Sequence, residues 1–290
     1  MTVSTNDIMK IGLDLVGWLR MPPDSAIHVK GNSIHRALIT VDVSTSELIL
    51  AKNIGCDVVI AHHPIGVSSM EFHRVFDRHT QFMIQNGVPD NEARNAVSRL
   101  KRRIQIRSHA NIYKQVVDAA RILKMPLVNI HQPCDEFMRR TILGKIKDYK
   151  KEQKISDLLK LVGEIPEFKK AVIRPIVVLG STKSSVGRVA LVVAAGTNGG
   201  FPVAKLYYQN NISTVIYLHI DPSDAAKLNA EKIEGNLVIL GHVAGDSIGL
   251  NALAAGLEEK GVFWRWIKVD YASHSPQVES LRPELLKAVE

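Results

Sequence analysis

Residues 57–66, DVVIAHHPIG, decide the fold, and two later stretches repeat their logic: PLVNIHQPCD over 126–135 and NLVILGHVAGD over 236–246. Each opens on a short apolar run and each run stops at a polar cluster containing histidine. A continuous apolar run of this length fits a strand buried on both faces, as in a parallel sheet covered by helices. The same type of run recurs in RALITVDV (36–43), RVALVVAA (188–195) and STVIYLH (213–219). Between the runs the period changes from strand-like to helical. SELILAKNIG (46–55), the polar stretch 72–86, IYKQVVDAARIL (112–123), EFMRRTILGKIKDY (136–149), FPVAKLYYQN (201–210) and DSIGLNALAAGLEEKG (246–261) all read as helices. At the amino end Ser4 or Thr5 caps a helix expected to run through Leu19 and to close at Pro22 and Pro23. Strands alternating with helices define an α/β fold.

The 290 residues are twice an ordinary domain. A charged helix and a proline-punctuated connection between Lys150 and Pro175 place the expected boundary near Arg174. That gives an N-terminal α/β domain over 1–174 and a C-terminal one over 175–290, with a loose similarity of plan between them. Apolar residues make up 46% and charged residues 23% of the chain, a balance that excludes a disordered or collagen-like protein. No apolar window is long enough to span a bilayer, and the opening MTVSTNDIMK lacks a basic leader. Cys56 and Cys134 are too few to staple a chain of this size, so a cytoplasmic location is expected. The net charge of +8 is concentrated in Arg99, Lys101, Arg102, Arg103 and Arg107. The run reads as a solvated face, and nucleic acid remains a minor alternative because no aromatics interleave with the bases.

Three polar clusters therefore share one position, immediately after an apolar strand, where open α/β sheets place their sites. They are AHHP (61–64), IHQPCD (130–135) and GHVAGD (241–246). Adjacent histidines are hard to explain by packing, because the pleat sends consecutive side chains to opposite faces. Imidazole with carboxylate suits Zn, Mn, Fe or Ni, and no thiolate set exists for a closed structural zinc site. If His62, His63, Asp135, His242 and Asp246 hold two divalent ions, five side chains supply about six bonds, so one carboxylate bridges.

ITVDVS (39–44), DVVIAHHPIG (57–66), VDAARILKMPLVNIHQPCDE (117–136) and LGHVAGDSIGLNALAAGLEEKG (240–261) together resemble the Nif-three-like family (NGG-interacting factor three) of dinuclear-metal proteins, often labelled GTP cyclohydrolase type 2. The resemblance covers nearly the whole chain. It implies that His62 and His63 of the HHP motif, Asp135 of H-x-x-x-D, and His242 and Asp246 of G-H-x-x-x-[ED] are metal ligands. Many relatives carry Glu where this chain has Asp246, and no domain is inserted between the halves. The resemblance further implies two α/β domains facing each other across the metals and a toroidal homohexamer. His131 occupies a place that orients Asp135 or a substrate and is the candidate proton shuttle. Weaker substrate candidates are Asp42, which could equally cap a helix, the GTNGG turn with Gly196, Thr197, Asn198 and Gly199, and His219. Cys134 reads as a packed thiol, and His73 and His79 as surface residues. The expected activity is metal-dependent hydrolysis of a nucleotide-like or phosphoester substrate. The alternative is a non-catalytic metal-binding scaffold or regulator that binds protein or DNA.

Overall fold

The computed structural model describes residues 2–194 and 198–267. Helix α1 (Thr5–Asp14) leads into strand β1 (Ala26–Val29), and β2 (Arg36–Thr40), α2 (Thr45–Asn53) and β3 (Val58–Ala61) follow. A helical excursion comprises α3 (Gly66–Met70), a 3-10 turn (Phe72–Phe76), α4 (Asp77–Gln85) and α5 (Asp90–Ser108). The chain re-enters the sheet through α6 (Gln115–Leu123), β4 (Leu127–Asn129) and α7 (Gln132–Ile146). Helices α8 (Ile155–Gly163) and α9 (Pro166–Lys170) connect to β5 (Ile176–Leu179), β6 (Val189–Leu191), α10 (Gly200–Gln209), β7 (Thr214–Tyr217), α11 (Pro222–Ala230) and β8 (Asn236–Ile239). The long helix α12 (His242–Glu259) and strand β9 (Phe263–Ile267) complete the described elements.

Two mixed sheets result, in the orders β1-β4-β3-β2-β9 and β5-β8-β7-β6. All pairs are parallel except the edges β1–β4 and β5–β8. The central strands are fully buried because helices cover both faces, which is why they read as unbroken apolar runs. Strand β9 does not join the second sheet; it returns to the first and pairs in parallel with β2, from Arg36 against Phe263 to Thr40 against Ile267.

Helices α7 and α12 belong to both cores. Met138, Ile142 and Ile146 of α7 and Ala244 and Ile248 of α12 pack with Val238 and Leu240 of the second sheet's segment. Cys134 of α7 and Leu250, Leu253 and Leu257 of α12 pack with Ile60 and Val128 of the first. The two helices touch at Gly249, where an added Cβ would stand 2.3 Å from the Cys134 carbonyl oxygen. Backbone cannot move aside as a side chain can, so the site requires glycine.

Several elements depart from expectation. Ser4 caps α1 through a capping box with Asp7, but the helix ends at Asp14, shortly before Gly17 at φ 69°, so Leu19 lies outside it, exposed. Helix α12 begins at His242 rather than at Asp246. Gly241, at φ 113°, holds a backbone conformation that other residues rarely adopt and turns the strand directly into the helix. His79 is not a surface residue: it is fully buried on α4, one turn from Phe76 and one turn from Phe82 and Met83.

Candidate metal centre

The centre forms where β3, β4 and β8 run out. Pairing along β3 extends two residues past the strand, since the amide of His62 donates to Thr40 O at 2.8 Å and that of His63 to Val41 O at 3.0 Å. Both imidazoles are held by their Nδ1 atoms. His62 Nδ1 donates to the Ile130 carbonyl at 3.1 Å, and His63 Nδ1 donates to Asp42 Oδ1 at 2.8 Å. His131 is tied in the same way, its Nδ1 2.7 Å from Asp24 Oδ2 and its amide donating to Ser25 Oγ at 3.0 Å. Fixing Nδ1 leaves Nε2 of each ring directed at the common space, which is how metal-binding histidines are oriented.

The carboxylates enter from the two shared helices. Asp135 lies in the first turn of α7, and Asp246 lies one turn into α12 on the same face as His242. His62 Nε2 is 3.3 Å from Asp135 Oδ1 and 3.7 Å from Asp246 Oδ1. His63 Nε2 is 3.5 Å and His242 Nε2 3.2 Å from Asp246 Oδ2, and His131 Nε2 is 3.4 Å from Asp135 Oδ2. His63 and His242 stack with ring centroids 5.1 Å apart. The structure thus brings His62, His63, Asp135, His242 and Asp246 to one point, with His131 alongside.

These donors fit a cation. Nε2 of His62 and both carboxylate oxygens of Asp135 and of Asp246 are buried and make no hydrogen bond. Leaving such atoms unsatisfied is costly unless something positive sits among them. The imidazole–carboxylate spacings at the centre, 3.2–3.7 Å, bracket the separation of about 3.4 Å between donors that each stand about 2.0–2.2 Å from one tetrahedral ion. Three overlapping sets, His62–His63–His131, His63–His242–Asp246 and His62–Asp135–Asp246, each bring one donor atom per residue to within 4.8 Å of one another. The titration behaviour agrees. Burial opposes a charged His62, but Asp246 and Asp135 raise its pKa well above 6.5. Burial also opposes a charged His63, yet the nearby Asp246 carboxylate and the hydrogen bond to Asp42 lift it to about 9. Burial alone would raise the Asp246 pKa, whereas the imidazoles of His62, His63 and His242 hold it well below 3.8. The carboxylates demand positive charge, and these buried His and Asp groups could hold a metal ion.

Asp24 carries no sequence signal beyond a turn residue after Pro22 and Pro23. It is completely buried, and burial raises its pKa to about 7. His131, also buried, has its pKa lowered to about 3 by desolvation. Of the weaker candidates, Asp42 supports His63 and does not cap α2, whose cap is Ser44. His219 packs on His242 with centroids 4.6 Å apart and meets Asn198 Nδ2 at 3.3 Å. Asn198 Oδ1 accepts the Gly200 amide, and Gly199 precedes α10, pressed against Val203. Gly196 and Thr197 lie outside the described residues.

A mixed α/β chain carrying a buried histidine–carboxylate centre at the ends of its strands is the class that fold and site define. The chain belongs to the Duf34/NIF3 (NGG1p interacting factor 3) family, whose profile matches residues 27–272. It is similar to a NIF3 superfamily protein from Sphaerobacter thermophilus, with 36% identity and a TM-score of 0.88 over 92% of this chain and 98% of that one. Reduced HcgD from Methanocaldococcus jannaschii shares the fold at 13% identity and a TM-score of 0.60, over 92% of this chain and 99% of that one. Among curated proteins, erythronolide synthase EryA3 of Saccharopolyspora erythraea matches 44 residues at 61% identity. That segment is 15% of this chain and 1% of the synthase, so the match says nothing of the activity. No helix among the described residues is long and apolar enough to cross a membrane.

Proposed function

We propose that the chain is a metal-dependent hydrolase of a nucleotide-like or phosphoester substrate, with two divalent ions held by His62, His63, Asp135, His242 and Asp246. Ring opening of the GTP cyclohydrolase type 2 kind is one form of this reading. The observation that carries it is the convergence of five buried donor atoms of His62, Asp135 and Asp246 that have no hydrogen-bond partner. When bound, the ions would supply an acidified water and positive charge opposite an anionic group. His131 supplies what a proton shuttle needs: Nε2 faces the centre while Asp24 fixes the ring through Nδ1. Phe72 packs beside that ring, with centroids 5.6 Å apart. Asp42, exposed to solvent, steadies His63 through its Nδ1.

The test is metal content and turnover together. Protein purified without chelator and reconstituted with Zn, Mn, Fe or Ni should bind close to two ions per chain and turn over at least one member of a panel of nucleotides and phosphoesters. Asp135→Asn should abolish that turnover. Firmly bound metal with no turnover across the panel would favour the scaffold instead. A toroidal homohexamer belongs to the same proposal, and a monomer in light scattering at micromolar concentration would remove it.

A further inference from the structure

Beside the metal centre lies a second feature, a cavity of about 320 Å³ between the 3-10 turn, α5 and the loop after β7. It begins where the centre ends. Phe72 contacts His131, and His219, on the opposite wall, packs on His242. A ligand lying in the cavity therefore has one end against Phe72 and His219, the residues that pack on His131 and His242, and the other against α5.

That far wall is built by spacing. Leu100, Arg103, Ile104 and Arg107 recur at i, i+3, i+4 and i+7 and so share one face of α5, the face that lines the cavity. Two other bases of the run turn elsewhere: Lys101 pairs with Asp77 at 2.7 Å and Arg102 reaches Gln105. Arg107 has no carboxylate partner among the described residues. Arg103 has only a long approach of 3.9 Å to Asp224. Of the two acids on the opposite side, Asp221 is occupied with capping α11 through the Ser223 amide. Asp224 Oδ2 is buried and makes no hydrogen bond, so it stands ready to accept one. Phe72 and Phe76 meet edge to face at 5.6 Å and, with Ile104, supply an apolar wall for a flat ring.

We propose that this cavity is the substrate subsite of the centre and takes a nucleoside phosphate, its ring against Phe72, an N–H or O–H donor on Asp224, and its phosphate on Arg103 and Arg107. Paired guanidinium groups are suited to phosphate because their forked N–H donors match its oxygens. With the phosphate on α5 and the ring toward the centre, the assignment deepens the ring-opening form of the hydrolase reading and rests on it for the reaction, but the binding is testable without turnover.

The probe is the methylene phosphonate analogue of a purine nucleoside monophosphate, titrated calorimetrically into metal-loaded protein beside the parent nucleoside. Arg103→Gln and Arg107→Gln should each weaken the phosphonate at least about tenfold, the loss expected of one charge-assisted contact. They should leave nucleoside affinity, metal content and the thermal melt unchanged, since both side chains are exposed and neither belongs to the packed core. Phe72→Leu should weaken phosphonate and nucleoside alike. Equal phosphonate affinity in parent and both arginine variants overturns the assignment, as does the absence of binding by the parent at millimolar concentration. Turnover whose KM is unmoved in the arginine variants also overturns the subsite while sparing the hydrolase. Arginine-dependent binding in loaded protein that turns nothing over overturns the hydrolase while sparing the subsite.

Discussion

The antiparallel edge strand β1 meets β4 with a register shift between Ile27 and Val29, and β5 meets β8 with one between Val177 and Leu179. Inward from each edge the order repeats, β4-β3-β2 in the first sheet and β8-β7-β6 in the second. Ala26 faces Asn129 where Ile176 faces Ile239, and Ala61 faces Asn129 where Tyr217 faces Ile239, so the halves align strand by strand. On that alignment Asp24 corresponds to Arg174, His62 and His63 to Leu218 and His219, and His131 to Gly241. One plan is used twice, but the first copy carries most of the polar residues. The second contributes through a displacement of one residue: His131 precedes α7, whereas His242 is the first residue inside α12. One residue is about 100° around a helix. That rotation points His242 and Asp246 at the histidines of the other half.

The largest effect should come from testing that inequality directly. His62→Ala with His63→Ala should reduce bound metal after reconstitution from its full ratio to near zero while a cooperative melt persists, because Val58 to Ile60 beneath remain packed. His219→Ala, at the matching place in the second half, should keep the metal. Equal losses in the two variants would mean that the halves share the ligands evenly.

Next in size is the helix contact. Gly249→Ala should cost about 1–3 kcal/mol by pushing α12 off the backbone of α7. Gly144→Ala, on the exposed side of α7 with nothing within 4 Å of its Cβ position, should instead stabilise by about 0.5–1 kcal/mol through helix propensity. Matching melting shifts would break the view that the two helices are fixed at a single backbone crossing.

The smallest effect separates the halves by acid. His79, on the excursion of the first half whose residues Phe76 and Met83 pack into the second sheet's core, has its pKa lowered to about 3 by burial. The unfolded chain takes up that proton below about pH 6.5, and the folded chain does not until near pH 3. Its contribution is whole above pH 6.5 and lost as pH falls, reaching about 1.4 kcal/mol at pH 5.5. Buried His131, Asp24 and His63 titrate over the same window, so the check is a difference: between pH 7.5 and 5.5 His79→Gln should lose about 1.4 kcal/mol less stability than the parent in denaturant melts. An undiminished acid sensitivity in the variant would place the titrating group elsewhere.

Legibility in the sequence followed burial. The strands β2, β3, β4, β7 and β8 are buried throughout or nearly so and announce themselves as apolar runs. Strand β1 is half-buried at every position and contains His28; β5 is exposed or half-buried over its first three residues. Neither edge shows a clean run or a clean alternation. Strand β9 was illegible for another reason: its partner is more than two hundred residues away, and FWRWI names no partner. The histidines and acids of the centre were legible because each follows a strand. Asp24 was not, since a turn aspartate acquires meaning only when tertiary packing sets it against His131. His79 was legible in principle, at helical spacing from Phe76, Phe82 and Met83, but its polar neighbours masked the stripe.

The return of β9 also sets a timetable. Arg36 of β2 leaves the ribosome long before Phe263, the residue it pairs with. At about 5–20 residues per second, the intervening chain takes roughly 10–45 s to synthesise. Throughout that interval β2 presents an open parallel edge made of Ala37, Leu38 and Ile39, the kind of edge that recruits other strands. Until β9 arrives, that edge is open to strands of other chains. Slowing translation over α12 should lower soluble yield more than slowing it over α2.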